Sequence, residues 1–348
     1  MNKVKVVVIG AGHLGRIHAQ LLAQNPLAEL VGIVDTTPTA REAVSRSLGV
    51  QAYAHWRQVP VTVDAAIVAT PTQTHAPICL DLVGQGIHTL VEKPLADTLT
   101  AADALLGMAR RHDVVLQVGH VERFNPAFNW AAEQLPQPHY ISARRTGSYT
   151  FRSTDIGVVL DLMIHDLELV LHLAGSLPVD IHAWGTSFIS QHEDICQARL
   201  EFSSGMVADL FACRVDSQGE RQMRLFGADW QARIDFGARS VEMLRTRHHA
   251  TPLASSLAAL AAQPVGTRQA ALDSLLDKQA MVYAEANPLE LQQTNFLRSV
   301  LREENPRVGG EQGRHALAVC RQILEQLVAD PRSTATIPLP ASSPRKAG

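Results

Sequence analysis

The sequence predicts an α/β protein that begins with a doubly wound parallel sheet and continues into a large, mainly antiparallel sheet. In the first third of the chain, short apolar strands alternate with helical patterns, which is typical of parallel βα units. Between residues 140 and 245, strand patterns follow one another at short spacing around one apolar helical pattern. We therefore predict a first domain over residues 1–122, a second over 123–330 and a flexible tail over 331–348. Residues 248–285 are rich in alanine and leave helix or loop open.

The first βα unit predicts a site for a dinucleotide. An apolar, β-branched run at residues 4–9 is typical of a buried parallel strand. Gly10, Gly12 and Gly15 follow in G-x-G-x-x-G spacing, and a helical stripe starts at Leu14. In this motif the glycines permit a tight turn, close approach of a pyrophosphate and close packing of helix on strand. The amides at the helix start would face the phosphates.

An acidic residue at the end of the second strand favours NAD as the dinucleotide. Asp35 follows the apolar residues 30–34 and lies twenty positions after Gly15, where a carboxylate would accept hydrogen bonds from the adenosine ribose. A carboxylate there repels the 2′-phosphate of NADP, and Arg41 is the nearby residue that could offset this repulsion. His13, inside the glycine turn, is expected to be exposed above the pyrophosphate.

Several further loops are predicted to meet at the same crevice, because ligands of doubly wound sheets bind beyond the carboxyl ends of the strands. Pro71 ends the strand predicted at residues 63–69, since proline cannot continue a central ladder. His75 opens the next helix and either contributes to the crevice or only caps that helix. The loops placed at the crevice are residues 10–15, Asp35, Thr70 with Pro71, Glu92 to Pro94, and Gly119 with His120.

Lys93 is a candidate catalytic residue. It follows a buried strand within Glu92-Lys93-Pro94, so its ammonium group would lie beside the nicotinamide end of the crevice. There it can hold a substrate hydroxyl or share its proton. The alternative is a surface lysine in a turn.

Asp161 and His165 form the second candidate pair. A spacing of four places both side chains on one face of the apolar helix predicted at residues 157–173. His165 has a suitable intrinsic pKa to take a proton from an alcohol near neutral pH, and Asp161 could orient it or bind a neighbouring hydroxyl. The alternative is a buried histidine that is satisfied within its own helix.

The polar segment GHVERFNP at residues 119–126 supplies two candidate substrate contacts. Arg123 could bind a phosphate or carboxylate in bidentate fashion, and Asn125 is assigned to the same site. The alternative for Arg123 is an ion pair with Glu122 or a nearby acid.

Composition excludes several function classes. A formal net charge of −3 without a long basic run argues against general binding to nucleic acid or membrane surfaces. The chain enters its first strand too early for a signal peptide and has no apolar stretch of membrane-spanning length, so we predict a cytoplasmic protein. Its four cysteines lie far apart without a C-x-x-C pair, which favours reduced thiols and no metal site.

Taken together, the glycine turn, the Thr70-Pro71 loop with His75, Glu92-Lys93-Pro94 and Asp161-x-x-x-His165 resemble the Gfo/Idh/MocA oxidoreductases over most of the chain. The resemblance implies an N-terminal Rossmann domain and a C-terminal α/β domain with a large open sheet. Such a sheet often forms a subunit interface in this family, which implies a homodimer or homotetramer. The resemblance further implies that Lys93 is the active-site lysine and that Asp161 and His165 handle the substrate.

Residues 119–128 and 157–173 are also similar to family members that act on nucleotide-linked amino sugars. This likeness implies hydride transfer from a sugar ring carbon to NAD. A dehydrogenase of free sugars or inositols is the alternative enzyme, and a non-catalytic sensor on the same scaffold is the alternative from another class.

Overall fold

The structure is a computed structural model that describes residues 3–60, 62–151, 155–247, 257–259 and 261–329, and it contains two sheets. The predicted tail at 331–348 lies outside the described residues. Within the described ranges, no helix is both long and apolar enough to cross a membrane.

The first sheet is parallel and six-stranded. Its strands are β1 (Val4–Ile9), β2 (Ala28–Val34), β3 (Gln51–Tyr53), β4 (Ala65–Val68), β5 (His88–Val91) and β6 (Leu116–Val118). They are arranged in the order β3-β2-β1-β4-β5-β6, with the helices α1 (His13–Gln24), α2 (Pro38–Leu48), α3 (Thr72–Gly84) and α4 (Leu99–His112) between them. This order, which reverses between β1 and β4, is that of the Rossmann fold, so the predicted doubly wound sheet is confirmed.

Burial explains which strands of this sheet the sequence could predict. The four residues of β4 are all buried, and five of the six residues of β1 are buried, so both appear as apolar runs. By contrast, β3 has three residues at the sheet edge and none of them is fully buried, and it was not predicted.

The second sheet has eight strands and is mainly antiparallel, as predicted. Its strands are β7 (Tyr140–Thr146), β8 (Asp180–Thr186), β9 (Ile195–Glu201), β10 (Val207–Cys213), β11 (Glu220–Phe226), β12 (Trp230–Asp235), β13 (Ser240–Thr246) and β14 (Leu276–Val282). They are arranged in the order β14-β13-β12-β11-β7-β10-β9-β8, and only β7 and β10 pair in parallel. Edge strand β14 lies in the stretch left open by the sequence, and its side chains are mostly exposed, so no apolar alternation marks it.

The second half of the chain also supplies five named helices. These are α5 (Pro126–Gln134), α6 (Ile164–Ala174), α7 (Val265–Ser274), α8 (Pro288–Val300) and α9 (Gly310–Ala329). The helix predicted at residues 157–173 instead begins with a π-helical segment, Val159–Met163, that leads directly into α6. The unpredicted α5 starts with Pro126 and is capped by the side chain of Asn125.

The last two helices pack back against the first sheet. Phe296 and Leu297 of α8 are fully buried in the same core cluster as β1. A Cβ atom on Gly313 of α9 would lie 2.5 Å from Val118 of β6, so α9 approaches that strand closely. Helix α9 also contacts β8 of the second sheet, and the domain division at residue 122 stays a prediction.

Candidate functional site

The glycine turn is shaped by backbone contacts on one side and is open on the other. Gly10 has φ +102°, and a Cβ atom there would lie 2.3 Å from the carbonyl oxygen of Ala69. A Cβ on Gly15 would lie 1.9 Å from the carbonyl oxygen of Gly10, whereas one on Gly12 would meet no atom within 4 Å. The first two residues of α1, His13 and Leu14, are exposed and partly exposed.

This turn fits a dinucleotide. No side chain caps α1, so the first amides of the helix are left for an anion, and the open space beside Gly12 is where a pyrophosphate would approach them. The turn and its strand therefore have the geometry predicted for Gly10, Gly12 and Gly15.

Replacement of Gly12 by alanine is expected to weaken NAD binding without changing stability. The new methyl group meets no protein atom, but it enters the space that the pyrophosphate requires. We expect the Kd for NAD to rise about tenfold or more, while the free energy of unfolding stays within about 0.5 kcal/mol of wild type. Fluorescence titration and urea unfolding measure the two quantities, and an unchanged Kd would contradict the assignment.

Asp35 is fixed against the glycine turn. Its Oδ2 accepts a hydrogen bond from the amide of Ala11 at 2.7 Å, and its Oδ1 accepts one from the amide of Thr37 at 2.7 Å. Arg41 donates from Nη1 to the carbonyl oxygens of Asp35 and Thr36, both at 3.2 Å. The carboxylate therefore lies beside the pyrophosphate turn, where the sequence places a ribose contact, with Arg41 held close behind it.

His75 ties two crevice loops together. Its Nδ1 lies 2.8 Å from the carbonyl oxygen of Pro94, and its Nε2 lies 2.8 Å from the carbonyl oxygen of Thr70. Burial lowers the pKa of His75, although both carbonyl contacts and the charge of Glu92 raise it. His75 thus positions the loop that carries Lys93, and the exposed Pro71 is the N-terminal cap of α3.

Glu92 faces into the protein. Its Oε1 lies 2.9 Å from Nε2 of His18, and the Nε2 amide of Gln293 lies 2.8 Å from Nδ1 of the same ring. A Cβ on Gly119 would lie 2.7 Å from the Glu92 carboxylate, which shows how tightly this group is enclosed. Glu92, His18 and Gln293 thus form one buried hydrogen-bonded network, and the assignment of Glu92 to the cofactor site stays a prediction.

Lys93 and Asp161 meet across the two halves of the molecule. Lys93 Nζ donates to Asp161 Oδ1 at 2.9 Å and to the Asp161 carbonyl oxygen at 2.7 Å. The side chains are 14% and 21% exposed, so the pair is shielded but reachable. A lysine ammonium group has three N–H donors, and one is therefore left for a further acceptor. The Lys93–Pro94 peptide bond is cis.

His165 lies one helical turn beyond Asp161 and is kept neutral. Burial lowers its pKa well below 6.5, and the charges of Lys93 and Arg145 add to this effect. Its Nδ1 is buried without a hydrogen-bond partner among the described residues. The alternative of a histidine satisfied within its own helix therefore does not describe this nitrogen.

A buried ion-pair network holds α6 in place behind His165. Arg145 on β7 donates from Nε and Nη2 to the two carboxylate oxygens of Asp166, at 3.0 and 2.7 Å. Its Nη1 donates to Glu122 Oε1 at 2.8 Å. Each of these three residues is less than a tenth exposed. The helix start is thereby anchored to the sheet.

Arg123 and Asn125 are engaged inside the protein. Arg123 Nη1 donates to Glu168 Oε1 at 2.7 Å, so the ion-pair alternative is the one observed, with Glu168 as the acid. Asn125 accepts from the amide of Ala127 at 3.2 Å and donates to the carbonyl oxygen of Phe236 at 3.2 Å. Their substrate-binding roles stay predictions, and these contacts do not support them.

His120 is a buried residue of the crevice to which sequence reasoning gave no role. It is 1% exposed, and neither ring nitrogen has a partner among the described residues. Burial lowers its pKa to about 3, and the charges of Lys93 and Arg123 contribute. Its position directly after β6 placed it at the crevice in the sequence analysis, but no motif marked its imidazole for a role.

Family models match two consecutive parts of the chain. Residues 4–120 match the model of the oxidoreductase family with an NAD-binding Rossmann fold, and residues 117–232 match the GFO/IDH/MocA C-terminal domain. The chain is 38% identical over 237 residues to UDP-N-acetylglucosamine 3-dehydrogenase of Acidithiobacillus ferrooxidans, covering 68% of this chain and 75% of the relative. It is 31% identical over 240 residues to scyllo-inositol 2-dehydrogenase (NAD(+)) of Bacillus subtilis, covering 63% and 69% of the two chains.

Solved structures agree with these matches. The crystallised UDP-N-acetylglucosamine 3-dehydrogenase of Acidithiobacillus ferrooxidans superposes with a TM-score of 0.82 and 31% identity, over 94% of this chain and 98% of the other. Levoglucosan dehydrogenase, solved with NADH and levoglucosan, gives a TM-score of 0.79 at 15% identity over 94% and 98% of the chains, which shows a shared fold. With its glycine turn, its two sheets and both family models in agreement, the chain belongs to the Gfo/Idh/MocA family of NAD-binding oxidoreductases.

Proposed function

We propose that this protein is an NAD-dependent dehydrogenase that oxidises a ring hydroxyl of a nucleotide-linked amino sugar, with UDP-N-acetylglucosamine oxidised at C3 as the first candidate. The observation that carries the proposal is the Lys93–Asp161 hydrogen bond, with His165 one helical turn beyond Asp161 and its Nδ1 buried without a partner among the described residues. The likeness to the 3-dehydrogenase of Acidithiobacillus ferrooxidans supports the choice of substrate.

The chemistry follows from the donors and acceptors that remain available. NAD, when bound, supplies the hydride acceptor for the reacting carbon. His165, being neutral, accepts the hydroxyl proton through Nε2, the nitrogen that is not enclosed. Lys93 directs its remaining N–H at the same oxygen and stabilises the negative charge that develops there. Asp161 holds the ammonium group in place and is available to a neighbouring hydroxyl.

The assignment of the base has one alternative. Lys93 and His165 could exchange roles, with the lysine taking the proton and the histidine holding the oxygen. The neutral state of His165 favours the first arrangement, because a proton acceptor must be unprotonated before the reaction.

The test of the substrate is a comparison of NADH formation on UDP-N-acetylglucosamine, glucose and myo-inositol. We expect kcat/KM to be at least a hundredfold higher on the nucleotide sugar. Preference for an inositol would support the alternative enzyme, which the likeness to scyllo-inositol 2-dehydrogenase keeps open. NAD binding without turnover on a broad sugar panel would support the sensor.

The protein is expected to prefer NAD to NADP. The Asp35 carboxylate is held beside the glycine turn by the amides of Ala11 and Thr37, and if the ribose binds there it would repel a 2′-phosphate. Arg41 is engaged with backbone carbonyl oxygens and would have to leave them to compensate. We expect the Kd for NADP to exceed that for NAD by about tenfold or more. Titration with both cofactors checks this, and tighter NADP binding would contradict it.

Two further parts of the proposal concern assembly and location. We infer a homodimer or homotetramer that associates through the second sheet, which light scattering would test. A cytoplasmic location stays a prediction that cell fractionation would test.

A further inference from the structure

One exposed arginine of the second sheet has no place in the chemistry described so far. Arg221 lies near the start of β11 and pairs in register with Arg145 on β7. Residues directly opposite each other on paired strands project from the same face, so Arg221 shares the face of Arg145 and of the buried Met223. It nevertheless is exposed, and no hydrogen bond or ion pair joins its side chain to any residue that the structure describes.

The sheet is left uncovered at this point. Helix α6 and the π-helical segment before it pack over β7 and β10, whereas α5 packs over β12 and β13. Strand β11 lies between these two groups, and on this face Met223 and Leu225 are buried whereas Arg221, near the start of the strand, is exposed. The end of β11 that carries Arg221 pairs with the end of β7 from which the chain leads to Asp161. Arg221 therefore lies on the catalytic side of the sheet.

Of the four cations near the site, Arg221 alone makes no direct ion pair within the described part of the chain. Lys93 is paired with Asp161, Arg145 with Asp166 and Glu122, and Arg123 with Glu168. Burial is the largest cause that lowers the pKa of His165. The positive charge of Arg221 is among those that lower this pKa further, so Arg221 lies near His165. The charge of Arg221 also acts on the buried Asp166 carboxylate, but the two side chains form no ion pair, so the exposed N–H donors of Arg221 are available to an anionic substrate.

We propose that Arg221 binds the diphosphate of a nucleotide-linked sugar and so determines that the enzyme takes sugars in this form rather than free sugars. The planar guanidinium group offers parallel N–H donors that match two phosphate oxygens. Anchored there, the diphosphate would lie on the sheet side of the crevice while the sugar ring reaches Lys93 and His165. This inference rests on the proposed function, because it specifies how that substrate is recognised.

The test compares Arg221→Gln and Arg221→Lys with wild type, and uses Arg111→Gln as the matched control. Arg111 is an exposed arginine near the end of α4. It lies where β6 begins, away from the carboxyl ends of the strands that form the crevice. For Arg221→Gln we expect the KM for UDP-N-acetylglucosamine to rise roughly ten- to a hundredfold, the value of one charge-assisted contact. The kcat is expected to change by less than about threefold. Arg221→Lys should show a smaller rise, and Arg111→Gln none.

Two further measurements separate recognition of the diphosphate from a structural effect. The KM of wild type should rise with ionic strength more steeply than that of Arg221→Gln, because the variant lacks the screened charge. The KM for free N-acetylglucosamine should be the same in both proteins. An unchanged KM for UDP-N-acetylglucosamine in Arg221→Gln would overturn the inference and leave the proposed function intact.

Binding of UDP alone distinguishes failure of the inference from failure of the proposed function. Isothermal titration with UDP needs no turnover and is expected to show at least tenfold weaker binding to Arg221→Gln than to wild type. If wild type fails to oxidise UDP-N-acetylglucosamine but this difference in UDP affinity is observed, the proposed substrate is wrong and the anion site stands. If UDP binds both proteins equally, the anion site is wrong.

Discussion

His165→Ala is expected to lower kcat by about a hundredfold or more while leaving NAD binding unchanged, because removal of a general base typically has an effect of this size. His165 is on α6 of the second half of the molecule, whereas the glycine turn that receives the dinucleotide belongs to the first sheet. Steady-state assays give kcat, and fluorescence titration gives the Kd for NAD.

The control for this experiment is His172→Ala on the same helix. His172 is exposed and lies two turns beyond His165, so its removal should leave kcat within about twofold of wild type. If His165→Ala retains kcat within about threefold of wild type, the proton is taken by Lys93, the alternative base.

The pH dependence gives an independent measure of the same group. Since burial and the neighbouring cations lower the pKa of His165 well below 6.5, the ring stays unprotonated as the pH falls from 8 to 6.5. Activity is lost only when the pH falls through the lowered pKa, so the acid limb of kcat/KM is expected below pH 6.5 in wild type. An acid limb at or above pH 6.5 would show that the environment of His165 does not act in this way.

The first sheet could be predicted because its signals are local in the sequence. Each buried strand is an apolar run, and the glycine turn needs small residues at fixed spacing for contacts only a few positions away, such as Gly15 against Gly10. Strand β14 lacked such a signal, since an edge strand with exposed side chains shows neither an apolar run nor alternation.

The site was predictable residue by residue but not contact by contact. Lys93 and Asp161 could both be named from their motifs, yet the hydrogen bond between them joins residues 68 positions apart and depends on how the two halves pack. The same holds for Glu92, whose partner His18 is 74 positions away, and for Arg123, which pairs with Glu168 instead of an acid nearby in sequence. Spacing along one element predicts which side chains share a face, whereas tertiary packing decides which of them are already engaged.

Arg145→Met is expected to destabilise the protein by about 3–5 kcal/mol, because it removes the only described cation that contacts the buried carboxylates of Asp166 and Glu122. The arginine side chain is 5% exposed, and its three hydrogen bonds span 2.7–3.0 Å. Methionine fills a similar volume, so the loss reflects unpaired charge rather than an empty space. Urea unfolding of the cofactor-free protein measures the change in the free energy of unfolding.

The neighbouring residue provides the control, because Arg144 projects from the opposite face of β7 and pairs with Glu220 at an exposed position. Arg144→Met should lower the free energy of unfolding by less than about 1 kcal/mol.

The destabilisation caused by Arg145→Met should also become smaller as the pH falls from 8 to 5. Burial raises the pKa of Asp166, and loss of the opposing arginine raises it further, so the folded variant takes up a proton that the unfolded chain does not. Equal destabilisation by the two variants would show that this ion-pair network does not hold α6 on the sheet. A destabilisation by Arg145→Met that becomes larger at low pH would show the same.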